Sequence, residues 1–463
     1  MIAAMRRCAL IAFLFVCALA ALAHAAPVLM ISLDGLKPEY ITQADAHGMK
    51  IPYLRSFVNS GTYAEGVTGV WPTVTYPSHT TLITGVTPAE HGVYNNHQFD
   101  PTQSFGDAWN WYAAEIRVPT LWQAAHRAGL GTASVGWPVS VGATDVDWLI
   151  PEFWRSAGAS GASGELNPLD QMLIAALARP ETLIQSIEPV AGSYMLGNDT
   201  TTGGDEAKTR YALEILRRYK PAFTTVHLSS LDETEHEHGP FSPEACQDLE
   251  ALDGMVARLA QQALANDPAT VIVVVSDHGF MRITHNVNIA IPFIQTGLIQ
   301  ATVEPGKAPL VKSWKAEPWG AGGMAAIMLH DPNDSATEQQ VKGILDKLAA
   351  NPENGIAEVL DREQIKQRGG FPDAAFLVVL KPGYYTAAAL SGDFVTPIAG
   401  TRGSHGFSPE LAEMRASFFA QGAGIAAQRN LGVIDMRQIA PTVAGLLNVS
   451  LPTAKAAPLN VKP

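Results

Sequence analysis

Three apolar segments that each end at an aspartate constrain the fold of this chain more than any other feature. The runs APVLMISLDG, AFTTVHLSSLD and ATVIVVVSDHG reach Asp34, Asp232 and Asp277. Helical patterns precede two of them, and continuous Val/Ile runs alternating with helices are typical of a mostly parallel sheet covered on both faces. In such sheets ligands bind beyond the carboxyl ends of the strands. The three aspartates are therefore predicted to converge on one site.

Histidines accompany these aspartates. His236 follows Asp232 by four residues in SLDETEHEHGP, a spacing that lets both side chains reach one ion. His278 directly follows Asp277, and His405 lies in the glycine-containing turn RGSHGF. Taken singly, each residue has a plainer explanation, such as a helix cap or a solvated histidine. Taken together with the first aspartate, they predict two sites of three protein ligands each, and three ligands with an open position are typical of catalytic zinc.

A segment rich in hydroxyl groups, WPTVTYPSHTTLITG, occupies residues Trp71–Gly85. Such a composition is typical of a turn followed by a helix N-cap. The alternative is that one hydroxyl is a nucleophile at a helix N-terminus, where a developing alkoxide is stabilised. The segment alone leaves both interpretations open.

The first residues, MIAAMRRCALIAFLFVCALAALAHAAP, have the layout of a secretory signal peptide: a basic start, an apolar run and a small-x-small ending. We expect residues 1–25 to be removed, which predicts a periplasmic or secreted protein without a stable membrane span; an uncleaved anchor is the alternative. Cleavage would leave Cys246 as the only cysteine. An internal disulfide and a cysteine-based zinc site are then excluded.

Composition describes an acidic globular chain. With 463 residues, 47% of them hydrophobic, it can bury a large core. The formal net charge of −13 argues against binding nucleic acid or an anionic membrane through a basic surface. An anionic substrate would need local positive charge, which a metal ion would supply.

The alternation of strand and helix patterns is interrupted once. AAIMLHD, a helix through SATEQQVKGILDKLAANP, and DAAFLVVLKPGY predict a small α+β insertion at 297–388, within a catalytic α/β domain formed by 26–296 and 389–463. The small, polar segment SAGASGASGELNP at 156–168 is predicted to be a flexible loop, either a lid over the site or a plain surface loop.

Five separated segments resemble the nucleotide pyrophosphatase/phosphodiesterase family of the alkaline phosphatase superfamily: SLDGL, PTVTYPSHTTLITGVTPAEHGVYNN, LDETEHEHGP, VSDHGF and GSHGF. They match in composition and order between about Val28 and Leu447. The resemblance implies an alkaline-phosphatase-like fold and a small phosphodiester or nucleotide substrate. It also implies two zinc ions, with the ligand sets Asp232, His236, His405 and Asp34, Asp277, His278.

The resemblance further implies roles for Thr75 and Asn96. Thr75 would bind between the two metals and act as the nucleophile, forming a covalent phospho-threonine intermediate. Asn96 would donate a hydrogen bond to a non-bridging phosphoryl oxygen. The chemistry of these residues agrees, because a zinc ion lowers the pKa of a bound hydroxyl and an amide donor suits charge that builds on the equatorial oxygens.

The type of ester depends on the groups around the phosphoryl oxygens. Monoesterases of the superfamily generally supply Arg or Lys, whereas GWPVSVGATDVDWLIPEFW contains no basic residue before Arg155. This favours a phosphodiester or pyrophosphate bond; a phosphomonoesterase or phosphonate hydrolase is the alternative, and a non-catalytic nucleotide or lipid-headgroup binder is a third. Tyr76, Trp137, Phe153 and Trp154 are predicted to form an apolar substrate slot, with core packing as the alternative.

Overall fold

The computed structural model describes residues 26–102, 108–154, 168–198, 200–302 and 310–463. The predicted signal peptide lies outside these residues, as does the predicted loop after Arg155 except for its last residue. Within the described part, no helix combines the length and apolar character needed to cross a membrane.

Strands and helices alternate through the first half of the chain, as the apolar runs predict. The β-strands in chain order are β1 (Val28–Leu33), β2 (Thr62–Tyr63), β3 (Gly66–Thr68), β4 (Thr132–Val135), β5 (Trp148–Ile150), β6 (Phe223–Leu228), β7 (Val271–Val275), β8 (Met281–Val287), β9 (Ile299–Thr302), β10 (Leu310–Trp314), β11 (Ala316–Gly320), β12 (Met324–Leu329), β13 (Ile356–Asp361), β14 (Phe376–Leu380), β15 (Tyr384–Thr386), β16 (Val395–Ser404), β17 (Phe418–Gly422), β18 (Arg429–Asn430) and β19 (Val433–Asp435). The α-helices are α1 (Pro38–Thr42), α2 (Pro52–Ser60), α3 (Thr75–Thr84), α4 (Pro88–His91), α5 (Leu121–Arg127), α6 (Pro168–Leu177), α7 (Leu183–Ala191), α8 (Thr202–Tyr219), α9 (Ser230–His238), α10 (Pro243–Asn266), α11 (Ala290–Gln295), α12 (Ser335–Ala349), α13 (Arg362–Arg368) and α14 (Ile439–Leu446).

The largest sheet in the described residues has eight strands in the order β18-β2-β17-β7-β1-β6-β4-β5. Strand β1 lies near its centre and pairs in parallel with β6 and β7, and β4 extends the parallel arrangement to β5. Strand β17 runs antiparallel to β7 and β2. The predicted α/β fold with a mostly parallel sheet is confirmed.

Helices cover both faces of this sheet because the side chains of β1 alternate between two cores. Ile31 and Leu33 pack in a core that includes residues of α2, α7, α8 and α10. Val28 and Met30 pack in the other core, with residues of α3, α5 and α14. Every residue of β1 is buried. A strand that is covered on both faces reads as a continuous apolar run, which explains the pattern of the sequence.

The carboxyl ends of β1, β6 and β7 meet at one edge of the sheet because these strands are parallel and in register. Leu33, the last residue of β1, pairs with Leu228, the last residue of β6. Asp34 follows β1 directly, Asp277 lies two residues beyond β7, and Asp232 lies in the first turn of α9 just after β6. The three aspartates therefore leave the sheet side by side.

A smaller antiparallel sheet has the order β11-β12-β14-β13 and packs against α12 and α13. Its core also includes Val287 and Phe293, which precede the predicted start of the insertion. The extent 297–388 therefore stays a prediction. The turn after β11 packs closely against the segment that carries His405. A Cβ built on Gly322 in this turn would come 2.1 Å from the carbonyl oxygen of His405.

Gly279 lies in a close approach between two backbone segments at the end of β7. Its N–H donates to the carbonyl of Met414 at 3.1 Å. A Cβ at this position would meet the carbonyl oxygens of Glu413 and Arg415 at 2.2 and 2.8 Å. Any larger residue must push the two segments apart.

We expect Gly279→Ala to lower the free energy of unfolding by about 1–3 kcal/mol, the usual cost of overpacking, as measured by chemical denaturation. Gly254→Ala is the matched control, because Gly254 lies inside α10 and nothing stands within 4 Å of its Cβ position. Alanine there should stabilise the helix by about 0.5–1 kcal/mol. Equal stability of the two variants would contradict the packing argument.

Candidate active site and metal centre

Two groups of metal-ligand type side chains meet at the carboxyl edge of the sheet. Asp34, Asp277 and His278 form one group, and Asp232, His278 and His405 form the other, with the ligand atoms of each group within 4.8 Å of one another. All five side chains are buried except the half-buried Asp232. The convergence of the three aspartates is the arrangement that a parallel sheet predicts, whereas His405 reaches the cluster from the end of β16, which belongs to the separate sheet β15-β8-β16.

His236 lies against the same cluster from one turn further along α9. Its Nε2 is 3.4 Å from Oδ2 of Asp232, and its ring centre is 5.2 Å from that of His405. About a third of the His236 side chain is exposed, whereas His278 is fully buried. The four-residue spacing therefore does bring His236 and Asp232 together, at the more open side of the site.

The three histidines share one mode of support. The Nδ1 atom of each ring lies near a backbone carbonyl oxygen: 3.1 Å for His236 and Gly403, 3.3 Å for His278 and Gly279, and 3.1 Å for His405 and Thr73. With Nδ1 donating to a carbonyl, Nε2 is left as the acceptor atom that can bind a metal. The backbone thus sets both the orientation and the tautomer of these rings.

The carboxylates fit a bound cation. Oδ1 of Asp34, Oδ1 of Asp232 and Oδ2 of Asp277 are buried and have no hydrogen-bond partner among the described residues. A buried polar atom without a partner is costly, and a carboxylate oxygen is costlier still. Carboxylate oxygens and imidazole nitrogens are the ligands that Zn²⁺ and similar metals accept. The residues present therefore fit two metal ions.

The electrostatics of two of the three carboxylates agree with this fit; for Asp277 burial acts to raise the pKa, but the charges of His278 and His79 outweigh it and lower the pKa. Burial raises the pKa of Asp34 well above its usual value, and the negative charges of Asp277 and Asp232 raise it further. Burial also raises the pKa of Asp232, against the positive charges of His236 and His278. A raised carboxyl pKa means that the negative charge is poorly compensated by the protein. A divalent cation would supply that compensation.

Thr75 is the first residue of helix α3 and lies beside this cluster. Its Oγ1 is 3.5 Å from Nε2 of His278, and the residue is 8% exposed. The preceding residue, Val74, is the N-cap, so the helix has no side-chain cap. The predicted capping role of the neighbouring hydroxyls is therefore not seen at this N-cap. The helix N-terminus lies next to the candidate metal ligands.

Three of the neighbouring hydroxyls are directed at backbone groups instead, whereas Oγ of Ser78 is buried without a partner in the described residues. Thr73 donates to the carbonyl of Phe407 at 2.7 Å, Thr80 donates to that of Tyr76 at 2.8 Å, and Thr81 donates to that of Val86 at 3.0 Å. Thr75 differs from these three residues in facing a histidine of the cluster. Within this segment, Thr75 therefore fits the nucleophile hypothesis, and the other three threonines fit a structural role.

Asn96 is held beside the start of α3. Its Oδ1 accepts a hydrogen bond from the backbone N–H of Tyr76 at 2.8 Å, and its own N–H donates to Oδ1 of Asn95 at 2.8 Å. Asn95 is anchored in turn, through Nδ2, to the carbonyl of Gly320 on β11. The acceptor end of the Asn96 amide is thus fixed, and Nδ2 is the end available to a ligand.

The four residues of the predicted substrate slot do not behave alike. Trp137 is fully buried and packs edge-on against His79, with ring centres 4.9 Å apart, which agrees with the core-packing alternative. Tyr76 is fully buried as well. Phe153 and Trp154 are half-buried against Trp111, at 5.0 and 6.0 Å between ring centres.

Sequence reasoning missed two tryptophans of this aromatic group. Trp109 lies between Tyr76 and Trp154, with ring centres 5.2 and 4.8 Å away. Trp111 packs against Trp154, with 6.0 Å between the ring centres. Their signal was the aromatic segment WNWY, which follows Asn96 by about a dozen residues. Aromatic spacing alone does not distinguish such a group from ordinary core.

A buried ion pair near the site was also missed. Nζ of Lys208 on α8 lies 2.9 Å from Oδ1 of Asp205 and donates to Oγ of Ser229, just before α9. Lys208 is 3% exposed. Its charge is therefore neutralised by Asp205 and does not stand free for a phosphate.

A cavity of about 490 Å³ adjoins the site on the side of the small sheet. Phe99, Trp319 and Tyr385 are among the residues that line it. Gly320 on β11 lines the cavity, and its carbonyl accepts a hydrogen bond from Nδ2 of Asn95, the residue before Asn96. The cavity offers room for an organic group beside Gly322, the lining residue that approaches the backbone of His405.

Comparison with known proteins agrees with this geometry. The profile of the family described as type I phosphodiesterase/nucleotide pyrophosphatase matches residues 28–408. Mouse ectonucleotide pyrophosphatase/phosphodiesterase family member 1 is 25% identical over 263 residues, which cover 55% of this chain and 24% of that protein. Venom phosphodiesterase of Naja atra is 24% identical over 275 residues, covering 56% and 27%. This chain thus spans about a quarter of the length of these curated relatives.

Solved structures show the same fold. Human ectonucleotide pyrophosphatase/phosphodiesterase 5 superposes with a TM-score of 0.62 at 19% identity, covering 94% of this chain and 97% of that one. An inactive variant of the murine protein, solved in complex with AMP, superposes with a TM-score of 0.61 at 18% identity and the same coverage. Together, the profile match over most of the sequence and the shared fold confirm the resemblance seen in the motifs: this chain belongs to the type I phosphodiesterase/nucleotide pyrophosphatase family.

Proposed function

We propose that this protein is a two-zinc hydrolase that cleaves phosphodiester or pyrophosphate bonds through a covalent phospho-threonine intermediate on Thr75. One observation carries the proposal: Oγ1 of Thr75 lies 3.5 Å from Nε2 of His278, beside buried carboxylate oxygens that have no hydrogen-bond partner in the described part of the chain. A nucleophilic hydroxyl beside side chains that can hold two cations is what in-line phosphoryl transfer requires. Membership of a family of phosphodiesterases supports the reaction class.

The chain's own residues would hold the two ions in the sets that the motifs predict. Asp232, His236 and His405 would hold one ion, and Asp34, Asp277 and His278 the other, with Oγ1 of Thr75 lying 3.5 Å from Nε2 of His278. When bound, two zinc ions would supply the positive charge that lowers the pKa of the attacking hydroxyl and stabilises the leaving oxygen.

Thr75 would form a bond to phosphorus as the bond to the leaving oxygen breaks. Water would then attack the phospho-threonine from the opposite side, release the second product and restore the hydroxyl. The position of Thr75 at the start of α3 adds the positive end of a helix dipole to this hydroxyl. The amide Nδ2 of Asn96 would donate to a non-bridging oxygen, where charge builds in the transition state.

A substrate with a single negative charge on its phosphoryl group fits the site better than a phosphomonoester. Lys208, a buried cation near the site, is paired with Asp205, so it supports no extra charge on a terminal phosphate. The cavity of about 490 Å³ has room for the second substituent of a diester. The AMP complex of a murine family member supports a nucleotide as one such substituent. The signal-peptide pattern supports export to the periplasm or the medium.

Metal content tests the two-ion centre directly. We expect the protein, loaded with Zn²⁺ and passed through a desalting column, to retain two equivalents per chain by atomic emission analysis. Asp277→Ala should lose most of one equivalent, because it removes one of the three candidate ligands of that ion. The surface variant Asp346→Ala is the control, since Asp346 lies on the exposed face of α12. A wild-type value near zero would refute the centre.

Paired kinetics test the nucleophile and the ester class. We expect kcat/KM for bis-p-nitrophenyl phosphate to exceed that for p-nitrophenyl phosphate in the zinc-loaded protein. Thr75→Ala should lose about 10³-fold or more of the diesterase rate, because loss of a nucleophile removes the covalent route. Thr75→Ser keeps a hydroxyl at the same position and should retain a measurable fraction. A preference for the monoester would instead indicate a phosphatase.

Asn96→Ala tests the proposed donor to the transition state. Removal of one such donor typically costs about 10²–10³-fold in kcat, and we expect that loss with little change in KM. Asn110→Ala is the matched control, because Nδ2 of Asn110 supports the same loop by donating to the carbonyl of Asn95 at 2.7 Å. Similar kcat values for the two variants would assign Asn96 a role in loop structure alone.

A further inference from the structure

A buried histidine in the central sheet, His227, stands between the candidate metal ligand Asp34 and the carboxylate of Glu152. Its Nε2 lies 3.0 Å from Oδ2 of Asp34, and its Nδ1 lies 3.0 Å from Oε2 of Glu152. Nδ1 is also 3.0 Å from the carbonyl oxygen of Gly136. His227 is 1% exposed. Both nitrogens of the ring therefore face oxygen atoms in the core.

The network continues to the residue next to the proposed nucleophile. Oε1 of Glu152 accepts a hydrogen bond from the hydroxyl of Tyr76 at 2.8 Å, so both oxygens of Glu152 are occupied. Tyr76 is fully buried and follows Thr75 in α3. The chain of contacts Tyr76–Glu152–His227–Asp34 thus links the start of α3 to the ligand cluster. At its centre, both oxygens of Glu152 and both ring nitrogens of His227 are paired.

The two oxygens of Asp34 have different surroundings because of His227. Oδ2 is engaged by the ring, while Oδ1 has no hydrogen-bond partner within the described ranges and lies 3.4 Å from Nε2 of His278. A carboxylate held through one oxygen cannot turn freely about its Cβ–Cγ bond. The oxygen that remains available is the one that faces the other ligands.

From this geometry we propose that His227 is a positioning residue that fixes Asp34 as a one-oxygen metal ligand, and that Glu152 holds His227 in that orientation. The inference rests on the metal centre of the proposed function and adds a residue that the ligand motifs do not contain. Partners that orient metal ligands matter for binding, and their loss typically costs about 10–100-fold in metal affinity.

The location of His227 supports a specific role over simple packing. It lies in β6, where every residue is buried, and in register with Ser32 of β1. An imidazole at such a position is costly unless both nitrogens are paired. Here both are paired, Nε2 with Oδ2 of Asp34 and Nδ1 with Oε2 of Glu152 and the carbonyl of Gly136.

Zinc affinity measured by competition with a chromogenic chelator tests the proposal. In the full chain, we expect His227→Leu to lower the affinity for one of the two ions by about 10–100-fold. The affinity for the other ion should stay near its wild-type value. His227→Gln retains an N–H donor for Asp34 and should recover part of the loss. With Co²⁺ as the probe, the visible absorption of only one site should change in His227→Leu.

His91→Leu is the matched control for removing a buried histidine. His91 is fully buried and contacts Thr81 and the N–H of Val93, outside the ligand cluster. It should lower the melting temperature of the metal-free protein without selectively weakening one ion. If His227→Leu does not fold, Glu152→Gln, which keeps the volume, should weaken the same ion. Wild-type affinity for both ions in His227→Leu or Glu152→Gln would overturn the proposal.

The outcomes also separate this inference from the proposed function. Two bound ions with selective weakening in His227→Leu, but no hydrolysis of either nitrophenyl ester, would keep the positioning role and reject the proposed reaction. Hydrolysis that requires Thr75, together with equal affinities in wild type and His227→Leu, would keep the reaction and reject the positioning role. A wild-type protein that binds no zinc would overturn both.

Discussion

Two buried carboxylates and a half-buried third, each with an oxygen within 4 Å of Nε2 of His278, are the constraint on which the rest of the site depends. Asp34, Asp232 and Asp277 each carry an oxygen that lacks a hydrogen-bond partner among the described residues, and the first two have raised pKa values. Such a cluster is unfavourable in a protein interior unless cations or donors compensate it. The neighbouring imidazoles supply part of this compensation. The fold therefore holds the chain in an arrangement that metal binding would complete.

The scaffold sustains this unfavourable arrangement because the groups lie within a few residues of strand ends or in the first turns of a helix. The register of β1 with β6 and β7 sets the positions of Asp34 and Asp277, which follow β1 and β7. Backbone carbonyls fix the rings of the three candidate histidine ligands. Thr75 is positioned by a helix whose residues are all buried. Little rearrangement is then needed on binding, which is the condition for strong electrostatic stabilisation of a transition state.

The sequence could predict the features that arise from local pattern. Apolar runs revealed the strands, and the order of the runs indicated that Asp34 and Asp277 share an edge. It could not predict the pairing of Asp34 with His227, because the two residues are 193 positions apart and a histidine inside AFTTVHL reads as ordinary core. The burial of Trp137 could not be predicted either, because it depends on which helix covers the residue. The spacing of aromatic residues in the sequence carries no information about that helix.

In a chain of this composition, charge would link the proposed metal binding to the proposed substrate binding. The protein has a formal net charge of −13, and its candidate site is itself rich in carboxylates. An anionic phosphoryl group would be repelled by the metal-free site, whereas two divalent ions would reverse the local sign. Coupling of this kind is reciprocal in free energy, so an anion that binds at the ions must also tighten their binding. His227, which donates to Asp34 from within the core, would then influence substrate affinity without touching the substrate.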